Sequence, residues 1–306
     1  MRVTALAGGV GGAKLLVGLQ RALGPGDLTA VVNTGDDAVV YGVHVSPDVD
    51  IVTYWLAGIA DTERGWGLAG DTFAAVDGLR ALGVDAWFSL GDRDLATCLY
   101  RTERLGAGAS LSSIADEIRR ALGVPTRVLP ASDDRVRTRV VTADGRTLEF
   151  QEYFVRERHR PEVAEVVVAG LDDAKPAPGV LDALAAADMV VLCPSNPLLS
   201  IAPVVGLAGV RDALRAHPRV VAVTPIVRGA ALKGPADRLL RSTVGDASAS
   251  GVAALYADFA DEFVVDASDA GEAARVDTLG VRARVLDTVM SDPERAEALA
   301  RALLWP

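Results

Sequence analysis

Glycines 8, 9, 11 and 12, followed by Lys14, stand where one apolar run ends and an amphipathic one begins. Glycines so placed let the backbone approach a phosphate and present amide N–H groups at a helix N-terminus, where the dipole also favours an anion. The spacing departs from two common patterns. A nucleotide P-loop needs Ser or Thr after its lysine, and Leu15 follows Lys14 here; a dinucleotide fingerprint needs a third glycine where Lys14 stands. A tight strand-to-helix turn without a ligand fits the same residues. After the next apolar run come Asn33, Thr34, Gly35, Asp36 and Asp37. Adjacent carboxylates in a cleft repel unless a divalent cation or a ligand donor lies between them, so Asp36 and Asp37 are candidate metal ligands. A solvated turn has the same composition.

Two later loops carry polar groups in unusual company. Gly91-Asp92-Arg93-Asp94 flanks a guanidinium with carboxylates, which suits bidentate contact with a phosphate or carboxylate and equally suits a salt-bridged helix cap. Pro194-Ser195-Asn196-Pro197 uses two prolines to stiffen a loop whose Ser and Asn can hydrogen-bond a base, a sugar or a phosphate; a structural turn is the plainer reading. No Ser-His-Asp order, nucleophile elbow or cysteine-histidine pair occurs, which points away from covalent acyl transfer. Phosphoryl chemistry needs no protein nucleophile, only clamps, a metal and aligned reactants.

The elements that must position these loops follow from periodicity. Arg2 to Ala7 and Leu28 to Val32 read as buried strands, and between them Leu15, Leu16, Leu19 and Leu23 form a helical stripe stopped by Gly24-Pro25-Gly26. Strand, glycine turn, helix, strand is the opening of a parallel, doubly wound sheet. Ser46-Pro47-Asp48-Val49-Asp50 reads as a helix start with a capping Ser. Further helices are expected at 71–82, 95–104 and 111–122, a short strand at 87–90, and a hairpin over 136–155 turning at Asp144-Gly145. From Val163 the parallel pattern resumes, through strands at 166–168, 189–193, 220–223, 263–265 and 283–286. The fold class is therefore α/β, a Rossmann-like, doubly wound, mainly parallel sheet with a small α+β insertion. We expect residues 1–94 and 161–306 to form the nucleotide-binding core, and 95–160 the inserted subdomain.

Composition narrows the function classes. The 306 residues are half hydrophobic, enough for one large domain, and the net charge of -10 argues against a nucleic-acid surface. No stretch approaches the ~18 apolar residues of a membrane span. Met1 to Ala7 runs straight into a glycine turn without a cleavage site, so a cytoplasmic protein with no membrane partner is expected. Cys98 and Cys193 form no Cys-x-x-Cys, and His44, His159 and His217 are scattered, so any metal would have oxygen ligands.

Taken together, these stretches resemble the transferases that assemble the deazaflavin coenzyme F-420, called CofD in archaea and FbiA in actinobacteria. The residues that carry the resemblance span almost the whole chain: Ala7 to Lys14, Val32 to Asp37, Ser46 to Asp50 with Thr53-Tyr54, Arg64 to Gly67, Leu90 to Thr97, Leu129 to Asp134, Phe150 to Glu152, and Pro194 to Ile201. The resemblance implies Mg²⁺-dependent transfer of a phosphoenolpyruvyl or 2-phospho-L-lactyl group from its guanosine diphosphate conjugate to the terminal hydroxyl of the deazaflavin Fo, releasing GMP. It implies a homodimer, and the partners are Fo and the guanosine diphosphate-linked three-carbon acid. Residue by residue, it places Asp50 and Arg93 at the deazaflavin, with Asn33 and Thr34 on the substrate side. It sets Gly8, Gly9, Gly11, Gly12, Lys14, Ser195, Asn196 and Pro197 at the nucleotide, and Asp36, with Asp37, at Mg²⁺; Asp50 and Asp36 are the catalytic candidates. The alternative is a CofD-like nucleotide-sugar-binding regulatory protein without transferase activity, which shares the glycine loop and the sheet. A Rossmann oxidoreductase would want a ribose-binding acid after the second strand, where Asn33-Thr34 stands.

Overall fold

The computed structural model describes residues 1–305. Strand β1 (Val3–Ala7) is buried along its whole length, which is why its residues read as a continuous run and not as an alternation. Helix α1 (Gly9–Ala22) packs back so that β2 (Leu28–Val32) pairs parallel to β1. A hairpin of β3 (Ala38–Val40) and β4 (Val43–Val45) leads into α2 (Pro47–Leu56), α3 (Ala74–Ala81), α4 (Asp92–Gly106) and α5 (Leu111–Ala121). Next, β5 (Arg127–Pro130) pairs parallel to β2, and β6 (Arg137–Thr142), β7 (Thr147–Glu149) and β8 (Val163–Ala169) form a separate antiparallel sheet. Helix and strand then alternate through α6 (Val180–Ala186), β9 (Met189–Leu192), α7 (Ala202–Val205), α8 (Val210–Ala216) and β10 (Val220–Val223). A short hairpin, β11 (Ile226–Val227) with β12 (Ala230–Ala231), precedes α9 (Ala236–Thr243), α10 (Ala249–Tyr256), β13 (Glu262–Asp266), α11 (Ala273–Asp277), β14 (Arg282–Leu286) and α12 (Pro293–Leu304).

Seven strands join in the order β14-β13-β10-β9-β1-β2-β5, and every neighbouring pair is parallel. The chain builds outward from β1 through β2 to β5, then returns to the other side of β1 with β9, so the strand order reverses between β1 and β9. Ligands of such sheets bind beyond the carboxyl ends of the strands at this switch point. Alternation along β1 divides the core: Val3, Ala5 and Ala7 pack with Leu15, Leu16 and Leu19 of α1 and with α2 and α12, whereas Leu6 packs with the helices of the other face, among them Leu184 of α6 and Leu214 of α8.

The structure corrects several local expectations. Trp87 to Leu90 is not a strand: the Phe88 N–H donates to the Tyr41 hydroxyl (2.7 Å) and its carbonyl accepts from the same group (3.0 Å), so a side chain stands where a strand partner would. Nor does the parallel pattern resume at Val163. Strand β8 pairs with β6, and Val166 sits opposite Val140, a member of a small core of its own with Phe150 and Tyr153. Phe150 and Phe154 leave the return strand, which stops at Glu149, for a helical turn at Glu152–Arg156. Strand β5 was unannounced, because four residues carry no readable period and Pro130 is tolerated only at the end of an edge strand. The span 95–160 thus contains an edge strand of the main sheet, while the small sheet runs on to Ala169. Among the described residues no single helix is long and apolar enough to cross a membrane.

Candidate active site

β1 and β9 end side by side, and the loops that follow them are joined. The Gly8 N–H donates to Ser195 Oγ (3.0 Å), and that hydroxyl donates to the Gly8 carbonyl (2.8 Å). A Cβ on Gly11 would lie 2.4 Å from the Pro194 carbonyl oxygen, one on Gly12 2.6 Å from Ser195 Oγ, and one on Gly8 2.4 Å from Asp48 Oδ2. Contact between protein segments therefore dictates three of the four glycines; the fourth, Gly9, is dictated by its φ of +64°. Asp48 Oδ1 accepts from the Gly9 N–H (2.8 Å). With the Gly8 and Gly9 amides taken, those of Val10 and Gly11 remain outside the ladder of α1, and both residues line the cavity described below. Asn196 Oδ1 is committed too, accepting from the Leu198 (3.0 Å) and Leu199 (3.1 Å) amides at the start of the turn Pro197–Ile201.

Helix α2 supplies two acids from its first turn. Ser46 stands at its N-cap, but the hydroxyl donates to Asp37 Oδ2 (2.8 Å) and does not cap the helix. Asp48 and Asp50, two residues apart on a helix, point to different neighbours. Asp48 accepts from Asn33 Nδ2 (2.9 Å) as well as from Gly9, while Asp50 Oδ1 pairs with the guanidinium of Arg101 on α4 and Asp50 Oδ2 has no partner. Arg101 is only 1 % exposed and also donates to the His44 carbonyl (3.1 Å). Asp36 is buried with Oδ1 unpartnered; burial first, and the Asp48 charge next, push its carboxyl well above the usual carboxylate range. Burial likewise pushes Asp48 up to about 6 and Asp37 up to about 7, against hydrogen bonds that favour the charged forms. Asp94 accepts from the Tyr54 hydroxyl (2.8 Å), and burial followed by the Asp50 charge pushes it up to about 7. Ligand atoms of Asp50, Asp94 and Cys98 lie within 4.8 Å of one another, but burial raises the Cys98 thiol, so it offers no thiolate to a metal.

These groups open on one cavity of about 680 Å³. Its wall carries the carboxyls of Asp36, Asp48, Asp50 and Asp94, the cations Lys14, Arg64 and Lys233, and the rings of Tyr54, Trp66, Phe88, Phe150 and Phe154. Backbone amides for an anion, acids for a cation or a hydroxyl, and rings for an aromatic ligand thus share one space. The family model of the 2-phospho-L-lactate transferase CofD matches residues 3–302. The chain belongs to the CofD family. It is similar over 99 % of its length to proteins named phosphoenolpyruvate transferase: 44 % identical over 315 residues to that of Thermobifida fusca, covering 96 % of the relative. The corresponding protein of Streptomyces griseus is 42 % identical over 310 residues, with 98 % of it covered. A crystal structure of a upf0052-family protein from Bacillus halodurans shares the fold, with a TM-score of 0.66 at 17 % identity, covering 99 % of this chain and 98 % of that one. The α/β reading and the family resemblance drawn from the sequence are both met.

Of the residues singled out in this CofD-family chain, Gly8, Gly9, Gly11, Lys14, Asp36, Asp50, Ser195 and Asn196 line the cavity; Gly12, Asn33, Thr34, Asp37, Arg93 and Pro197 do not. Asn33 is a buried support, donating to Asp48 and accepting from the Gly35 N–H (2.8 Å). The Thr34 carbonyl accepts from the Asp37 N–H (3.2 Å), and the Asp37 carboxylate turns to Ser46 and to His44 Nε2 at 3.7 Å. Arg93 is exposed and donates to the Ala69 carbonyl (3.3 Å). Its neighbour Asp92 caps α3 through the Ala74 (3.0 Å) and Ala75 (2.9 Å) amides, so half of that motif is the plain helix cap. Asp48 and Asp94 stand in motifs noted from the sequence but, like Arg101 and Lys233, are not among the site residues expected from it. Asp48 had a signal, an acid in a first helical turn. Lys233 had a faint one, being one of three lysines in the chain. Arg101 had none, because an arginine in an amphipathic helix reads as solvated.

Proposed function

We propose that this chain moves a phosphoenolpyruvyl or 2-phospho-L-lactyl group from its guanosine diphosphate conjugate to the terminal hydroxyl of the deazaflavin Fo, with GMP as leaving group. One observation carries the reading: amides at the start of α1, a carboxylate cluster and an aromatic wall open on a single cavity at the switch point of the sheet, in a chain of this family. In the reaction the hydroxyl oxygen forms a bond to the phosphorus that bears the three-carbon acid. The bond from that phosphorus to the bridging oxygen breaks, GMP leaves with the electron pair, and the hydroxyl proton passes to a carboxylate. Val10 and Gly11 hold the diphosphate with their amides, helped by the α1 dipole. Asp50, steadied by Arg101 through one oxygen, orients the hydroxyl with the other and takes its proton, beside Asp94 within 4.8 Å. The rings hold the deazaflavin plane.

Mg²⁺ fits the acids on this wall. A buried carboxyl with an unpartnered oxygen next to a second buried carboxyl is the arrangement a divalent cation relieves, and Asp36 with Asp48 supplies it. Asp36 and Asp48 would hold the ion, which when bound neutralises charge on the diphosphate. Purified protein incubated with Fo, Mg²⁺ and each donor in turn should release GMP and yield a deazaflavin product heavier by the transferred group, followed by chromatography and mass detection. Binding of Fo and donor with no GMP release from either donor would overturn the proposal.

A further inference from the structure

The cavity holds two ammonium groups that nothing in the scheme above uses together. The chain has three lysines, and two of them, Lys14 and Lys233, stand on this wall. Lys233 follows the β11-β12 hairpin, which folds back over the cavity, and its Nζ donates to the Arg64 carbonyl (3.3 Å). The approach is close: a Cβ on Gly65 would lie 2.7 Å from Lys233 Nζ and 3.1 Å from Val10 Cγ2, so the loop at Gly65, the lysine and the first turn of α1 meet. From further along α1, Lys14 donates to the Met290 carbonyl (2.8 Å) and lies over the Trp55 ring. Both ammoniums thus rest on carbonyl oxygens, and neither makes an ion pair among the described residues, whereas Arg64 is paired with Asp61 at 2.9 Å.

We infer that Lys233, acting with Lys14, is the contact for an oxyanion of the donor, either its phosphate or the carboxylate of its three-carbon acid. The inference rests on the transfer reading above. Two like charges facing one cavity without a counter-ion oppose each other until an anion lies between them. Lys14 registers this: burial, then the Lys233 charge, holds its ammonium below the usual lysine range, with Asp292 offsetting part. The chain as a whole is acidic, with a net charge of -10, so a local pair of cations is what draws a polyanionic donor to this wall. An ammonium on a flexible stem at the end of a hairpin suits an oxyanion that must be released after each turnover.

The test compares Lys233→Met with wild type, titrating GDP and the enolpyruvyl-GDP donor by calorimetry, with Lys175→Met as a charge control and Lys233→Arg as the conservative variant. Lys233→Met should weaken the donor by at least about ten-fold, as expected for a hydrogen bond to a charged group, with Lys233→Arg recovering most of it. An equal loss for GDP identifies the phosphate as the contact; a loss confined to the donor identifies the carboxylate. Unchanged binding of both, in a variant whose melting temperature is unchanged, would overturn the inference. Should wild type bind GDP yet turn over neither donor, the transfer reading fails by itself. The lysine contact is then still judged by the two titrations, and equal binding of both GDP and the donor by Lys233→Met would remove it too.

Discussion

Asp36 puts an unpartnered carboxyl oxygen on a wall whose nearest charged neighbours, Asp48 and Asp37, are also acids. An uncompensated cluster of that kind is tolerable only with protons or a cation in it, and at neutral pH the two compete. Asp36→Asn should therefore raise the Mg²⁺ concentration needed for half-maximal GMP release by at least about ten-fold, equivalent to roughly 1.4 kcal/mol of cation binding. Metal titrations of turnover read the effect directly. Full turnover by Asp36→Asn at limiting Mg²⁺ would remove the cation from this residue. Asp37 answers a different need: through Oδ2 it ties Ser46 and the β3-β4 hairpin to the start of α2, and although its Oδ1 is also unpartnered, the residue does not line the cavity.

At the scale of elements, the site exists because two loops touch. The turn from β1 into α1 and the loop after β9 approach with no room for a single methyl group, as the 2.4 Å between a Gly11 Cβ and the Pro194 carbonyl shows. Gly11→Ala should drive them apart at a cost of about 1–3 kcal/mol, measured by urea denaturation, and should weaken GDP binding because the Val10 and Gly11 amides move with the loop. Gly78 in α3 has nothing within 4 Å of its Cβ position, so Gly78→Ala should be neutral or slightly stabilising, by up to about 1 kcal/mol. Equal stabilities for the two variants would show that the loops need not be in contact. The remaining walls come from elements far apart in the chain: α2 brings Asp48 and Asp50, α4 brings Asp94 and sets Arg101 behind Asp50, and the β11-β12 hairpin brings the segment with Lys233.

Across the whole molecule, the buried acids couple folding to pH. Asp37 and Asp94 are raised to about 7 and Asp48 to about 6, with Asp36 also raised. Carboxyls raised in this way hold their protons more tightly folded than unfolded, so stability is greatest while they stay protonated and falls as pH climbs from about 4 through about 7. His44, lowered to about 4 by burial and by Arg101, opposes this below its ordinary value of 6.5. His159, lowered by burial and by Arg238, acts in the same sense, but two histidines do not cancel five acids, burial having raised Asp50 as well. With a chelator present, the melting temperature should drop between pH 5 and pH 8 by at least roughly 2–4 °C, the shift that about 1 kcal/mol produces in a chain near this size. Adding Mg²⁺ at pH 8 should recover part of the loss, because a cation bound to the folded state stabilises it by mass action. A melting temperature that rose steadily with pH under chelation would contradict the buried-acid account.

The sequence alone determined what depends on neighbours along the chain. Apolar runs ending in glycine announced β1, β2 and the opening of α1, and Ser46-Pro47-Asp48 announced α2, because periodicity and turn chemistry are local. The order of the motifs carried the family. What only the tertiary structure decided is which polar atoms are free. Ser195 and Asn196 lie on the cavity wall, yet their hydroxyl and carbonyl oxygens are already used by Gly8 and by the turn at Leu198 and Leu199. Asp36 and Asp37 are adjacent, yet only Asp36 faces the cavity, where Asp48 from the next helix is its companion. Side chains of adjacent residues diverge, and a partner fifty residues away leaves no period to read, so Arg101 behind Asp50 and Lys233 over the glycine loop were set by the packing of distant segments.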